Sequence, residues 1–166
     1  MGSIAYVDSM VPIIRSMNLT TNITTLNLAG CAFNLHALRK LARFVVNSDM
    51  IREFDVSHCK IAYQGARYII DAINRNTCLR TFNFSYNDLQ TSNYEFAVKI
   101  ASVLTRHPTM MHLNIAHTNL KREEVMFIAL ALSTAKTLIA LHMTAQGLPY
   151  YERIFVRAMV SARVGY

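Results

Sequence analysis

Apolar residues recur along this chain at fixed distances, and the set of distances itself repeats. The clearest copy runs from Ile51 to Ile61, I-R-E-F-D-V-S-H-C-K-I. Counting Ile51 as offset 0, apolar residues fall at offsets 3, 5 and 10, with a thiol at offset 8. Ile23 opens a second copy with Leu26, Leu28, Cys31 and Phe33, and Leu79 opens another with Phe82, Phe84, Asn87 and Leu89. Met110 follows with Leu113, Ile115, Thr118 and Leu120, and Leu138 with Leu141, Met143, Gln146 and Leu148. The starts at 23, 51, 79, 110 and 138 are 28, 28, 31 and 28 residues apart. A fixed period of this length predicts a solenoid.

Each unit opens on a short strand: T-L-N-L, E-F-D-V, T-F-N-F, H-L-N-I and A-L-H-M. Apolar and polar positions alternate, so one face is buried and the other open. An amphipathic helix is predicted next, with Leu41 and Val45, Ile69 and Ile73, Ile100 and Leu104, Ile128 and Leu132, and Val156 and Val160 on one helix face. The three extra residues of the third unit fall near Thr91 to Glu95, in the turn or at the start of its helix. Ser9 to Asn18 reads as the helical half of a unit whose strand is missing, with Pro12 in its first turn. Residues 1–22 are therefore a partial repeat and 23–166 five full ones.

The pattern L-x-x-L-x-L-x-x-[NC]-x-L, then a Gly, then L-x-x-x-L, resembles the ribonuclease-inhibitor class of leucine-rich repeat. The second unit matches best, with Gly65 at offset 14, while Ala37, Glu124 and Glu152 depart from the Gly and Thr118 and Gln146 from the Asn. The resemblance implies an α/β solenoid, a right-handed β-α horseshoe segment with a parallel sheet on its concave face and helices on its convex face. It also implies that Cys31 and Cys59 point inward at offset 8 and bond the turn backbone. The family hosts inhibitors, GTPase activators, immune sensors, actin-filament regulators and assembly subunits, so the resemblance carries fold further than function.

Composition narrows the classes. About half the residues are apolar and 16% are charged, which favours a folded chain over a disordered one. Three Cys without a C-x-x-C give no disulfide framework and suggest a reducing compartment. Met1 to Arg15 lacks a basic n-region, so no secretory signal is expected there. Val125 to Met143 is apolar enough to suggest a membrane span, but the repeat assigns it to one helix and the following strand. The net charge of +7 is expected on the helical surface, through Arg39, Lys40, Arg43, Arg67, Arg75, Lys99, Arg106, Arg153 and Arg157. It permits an acidic protein partner and matches no nucleic-acid motif.

The open strand faces predict three columns of short, mostly polar side chains. One is Thr25, Glu53, Thr81, His112, Ala140; the next is Asn27, Asp55, Asn83, Asn114, His142; the third is Ala29, Ser57, Ser85, Ala116, Thr144. His58, Tyr86 and His117 lie just beyond, and Tyr86 is the expected anchor because aromatics dominate binding hot spots. The bland alternative is a solvated face kept polar for solubility. His112, His142 and His117 invite a metal reading, set against scattered surface histidines. No nucleophile-base-acid set, phosphate loop or H-E-x-x-H is present, so neither an enzyme nor a cofactor is expected. Tyr150, Tyr151 and Phe155 on the last helix are candidates for an interface or for a cap over the open end. The expected role is a non-catalytic protein-interaction scaffold, a subunit of a ciliary, cytoskeletal or mitochondrial assembly. The alternative is a soluble inhibitor or regulator of an enzyme or GTPase.

Overall fold

The computed structural model describes residues 10–17, 22–89 and 94–143. Five three-residue strands form one parallel sheet in chain order: β1 Thr25–Asn27, β2 Glu53–Asp55, β3 Thr81–Asn83, β4 His112–Asn114 and β5 Ala140–His142. Each connection returns through a helix: α2 Leu35–Asn47, α3 Tyr63–Arg75, α4 Glu95–Arg106 and α5 Arg122–Leu132. The half-unit before β1 supplies α1, Met10–Met17. One strand and one helix cannot bury their apolar faces alone, so each unit is closed by its neighbours.

The register follows the sequence period. Leu26 pairs with Phe54, Phe54 with Phe82, Phe82 with Leu113 and Leu113 with Leu141. These central residues point to the helices, and Phe54, Phe82 and Leu113 are fully buried. From the helices come Leu41, Val45, Ile69, Ile73, Ile100, Leu104, Ile128 and Leu132, all buried. The apolar stretch from Val125 to Met143 is α5, a turn and β5, and no helix among the described residues is long and apolar enough to cross a membrane.

Offset 8 is an internal staple. The Cys59 thiol donates to the Leu28 carbonyl at 3.1 Å, and burial pushes its pKa up to about 11. Asn87 holds the next turn through three backbone groups: its Nδ2 donates to the carbonyls of Val56 and Phe84, and its Oδ1 accepts from the Ile61 N–H. Thr118 donates to the Ile115 carbonyl. Cys31 and Cys59 are both free thiols, the first half-buried and the second buried.

At offset 14 both the matching glycine and one departure from it have local reasons. At Gly65 a Cβ would lie 2.4 Å from Leu38 Cδ1, because the first turn of α3 is pressed against α2. Glu124 stands at the same offset in the fourth unit, buried, with Oε2 accepting from the Lys121 N–H at 2.8 Å. It thereby satisfies a donor at the start of α5 that the helix itself cannot.

Candidate functional site

The polar strand residues lie side by side on the concave face. Register sets Thr25, Glu53, Thr81, His112 and Ala140 in one row and Asn27, Asp55, Asn83, Asn114 and His142 in the next. All of these but Ala140, with the strand residues between them, line a groove of about 360 Å³. Glu53 and Asp55 are the only formal charges on the five strands. A chain with a net charge of +7 thus has an acidic strip on its concave side.

Much of the second row is committed to the turns. The side-chain oxygens of Asn27, Asp55, Asn83 and Asn114 accept from the N–H two residues on, at 2.8–3.1 Å. Asn83 Nδ2 also donates to the second oxygen of Asp55 at 2.8 Å. Asp55 and Asn114 therefore shape the turn as well as facing the groove, a local bond for which Asn and Asp are suited. Glu53 is exposed, and its Oε2 accepts from the Thr25 hydroxyl at 3.3 Å.

Among the described residues the third expected column is open only at Ala29, and Thr144 lies outside them. Ser57, Ser85 and Ala116 are buried, with Ser57 5% exposed. The strands end after three residues, and the chain turns at this position, folding the small side chain beneath the bend. The Ser85 hydroxyl donates to Asn83 Oδ1.

The next residue of each unit builds the most distinctive feature of the surface. His58, Tyr86 and His117 form a continuous stack: centroids are 4.1 Å apart at each step, with ring planes within 13° of parallel. All three have left-handed backbone, φ 56°, 58° and 55°. The His58 N–H donates to the Ser85 carbonyl and the Tyr86 N–H to the Ala116 carbonyl, both at 3.0 Å. The same left-handed backbone at all three, with matching tethers to the next unit at His58 and Tyr86, launches the rings in parallel. Left-handed backbone costs about 1–3 kcal/mol for a non-glycine residue, and such strain concentrates at functional positions. Stacking returns about 0.5–1.5 kcal/mol per pair. The rings stay exposed, Tyr86 at 48%. In the first unit Gly30 holds the same place, φ 75°, with its N–H on the Ser57 carbonyl at 2.8 Å.

The metal reading of the histidines has no geometry behind it. His112 pairs with Ala140, His142 pairs with Asn114, and His117 lies on Tyr86. Among the described residues no three His, Cys, Asp or Glu side chains converge. Tyr150, Tyr151 and Phe155, with Arg153, Val156, Arg157 and Val160, lie outside the described residues.

The basic helical face is partly neutralised from within. Glu95 receives the Tyr63 hydroxyl, pairs with Arg67 Nε at 3.0 Å and sits 3.7 Å from Lys99 Nζ. The Tyr63 hydrogen bond, with the two cations behind it, lowers the Glu95 pKa. Lys99 also bonds Asp71, and Arg39 stacks over Tyr68 at 4.9 Å. Sequence reading missed this hub because Glu95 reaches Tyr63 only once the three-residue insertion has placed the start of α4.

The fold is that of a leucine-rich-repeat solenoid. A family model described as Leucine Rich repeat matches residues 47–69 and 75–92. Among solved structures it is similar to the tropomodulin C-terminal domain from Caenorhabditis elegans. That match has a TM-score of 0.73 at 17% identity and covers 93% of each chain. A structure titled actin-binding site 2 of leiomodin-1 matches with a TM-score of 0.73 at 14% identity, covering 98% of this chain and 91% of that one. No curated protein matches.

Proposed function

We propose that this protein is a non-catalytic interaction module that docks another protein along its concave face and the aromatic rim beside it, as a subunit of a cytoskeletal assembly. Its repeats are read as the ribonuclease-inhibitor-like type. The observation that carries the docking reading is the exposed His58–Tyr86–His117 stack. Three bulky rings occupy left-handed positions where Gly or Asn would be cheaper, and a purely structural turn has no need of them. Glu53, Asp55, His112, Asn114 and His142 supply the adjoining polar surface. Tyr86, the central ring, is the anchor. The cytoskeletal reading is supported by the likeness to a structure named as an actin-binding site.

The test replaces all three rings, as His58→Asn, Tyr86→Asn and His117→Asn. Asn tolerates left-handed backbone, so the turns survive while the stack is lost. Purified wild-type chain is expected to co-pellet with filamentous actin, and the triple variant to remain in solution with an unchanged circular dichroism spectrum. Wild-type chain left in the supernatant overturns the actin assignment. Native gel filtration then decides the wider reading: a large complex that survives high salt supports a subunit, and elution at the mass of one chain favours a free regulator.

A further inference from the structure

The helical side changes character along the solenoid. Offsets 16, 17 and 20 hold Arg39, Lys40 and Arg43 in α2, Arg67, Tyr68 and Asp71 in α3, and Met126, Phe127 and Leu130 in α5. Arg39 and Arg43 are exposed, and α2 contains no acidic residue. Between α3 and α4 the charges cancel: Arg67 and Lys99 pair with Glu95, and Lys99 also with Asp71. Among the described residues no carboxylate pairs with Arg39, Lys40, Arg43 or Arg75. Unbalanced positive charge therefore gathers on α2 and at the end of α3.

A groove of about 480 Å³ lies between α2 and α3 at this point. Ala42, Val46 and Ala72 give it an apolar lining, and exposed Arg43 and Arg75 line it too, one from each helix. Tyr68 also lines it, with the Arg39 guanidinium 4.9 Å over its ring. An arginine already seated on a ring loses less freedom when it binds. Asp71 reaches the groove as well, but its Oδ1 accepts from Lys99.

We propose that this groove receives an acidic segment of a protein partner, one that carries apolar side chains between its carboxylates. Guanidinium groups pair with carboxylates through two parallel N–H donors, and Arg39, Arg43 and Arg75 supply them here. The apolar lining takes the side chains between the carboxylates. A nucleic acid needs a longer track of cations, and the same helix positions turn apolar by α5. An anionic membrane is flat and leaves the apolar lining of a groove unfilled. The surface lies on the helices, away from the concave face, so it stands apart from the docking reading.

The experiment titrates the whole chain into a fluorescently labelled peptide of repeated Glu-Glu-Leu units and follows anisotropy. A Glu-Glu-Ser peptide, an oligothymidylate of equal charge and phosphatidylserine vesicles are the comparisons. Saturable binding of the Glu-Glu-Leu peptide is expected, tighter than that of the other three. Arg43→Gln with Arg75→Gln is expected to weaken it about tenfold or more, at an unchanged urea midpoint. Lys121→Gln with Arg122→Gln removes the same charge at the start of α5 and is expected to leave the affinity nearly unchanged. Oligothymidylate or vesicles bound as tightly as the peptide, or Glu-Glu-Ser bound as tightly as Glu-Glu-Leu, would overturn the proposal. Equal losses in the two double variants would do the same, because net charge alone would then explain the binding. The peptide comparisons use wild-type chain, so they decide the matter even where a variant is less stable.

Discussion

His107 occupies in the third full unit the place that Asn76 holds in the second. Each residue follows the last turn of its helix, and its N–H closes that turn on the carbonyl four residues back. Asn76 Oδ1 accepts from the N–H of Cys78, and His107 Nδ1 from that of Thr109. Asn76 Nδ2 donates to the carbonyls of Val45 and Ser48, stapling its unit to the one before. The equivalent carbonyls for His107 are those of Ile73 and Asn76, yet its Nε2 is buried without a hydrogen bond.

That difference predicts acid sensitivity. Burial lowers the His107 pKa below 6.5, with the two carbonyls opposing the shift weakly. Below about pH 6.5 the unfolded chain takes up a proton that the folded chain refuses, so stability falls with pH until the folded pKa is reached. His107→Asn restores the Asn76 arrangement and is expected to flatten this part of the pH profile. Urea denaturation at pH 7.5 and pH 5 checks it; an equal loss of stability in wild type and variant would exclude His107 as the cause.

Gly65→Ala is expected to destabilise the fold, although alanine gains about 1 kcal/mol of helix propensity over glycine. The new Cβ would meet buried Leu38 at 2.4 Å and Ile61 at 3.1 Å, and overpacking costs about 1–3 kcal/mol. Leu38→Ala removes the first clash, so the two substitutions together should cost less than their sum. A double-mutant cycle by chemical denaturation measures this coupling.

Leu113→Ala empties the centre of the stacked core, where Leu113 is fully buried between Phe82 and Leu141. The expected cost is about 2–5 kcal/mol, read as a lower denaturation midpoint. An unchanged midpoint would be incompatible with the register described.

The three thiols should react in two classes. Cys59 is 3% exposed and its pKa is raised to about 11, whereas Cys31 and Cys78 are half-buried. A thiolate is the reactive form, so at pH 8 a disulfide reagent should modify two cysteines in the folded chain and the third only on unfolding. Rapid labelling of all three would show that the turn around Cys59 opens readily.

The repeat, the strand register, the buried Leu, Ile and Phe ladder and the helix faces were legible in the sequence. Each is imposed by spacing: an apolar position recurring every 28 residues has to meet its own image in the next unit. His58, Tyr86 and His117 could be singled out by the same count. That they stack was decided in three dimensions, by a left-handed backbone shared by all three and by the tethers of His58 and Tyr86 to the following unit, neither of which residue identity records. Tertiary structure also decided that Ser57 and Ser85 are buried and not open, because the strands stop one residue earlier than alternation suggests. It turned Glu124 from an apparent defect into a helix cap, and it left His107 with an unbonded nitrogen where Asn76 has two partners. Periodicity determines which residues face one another. Only packing determines whether a polar side chain among them ends in water, in a hydrogen bond or against a ring.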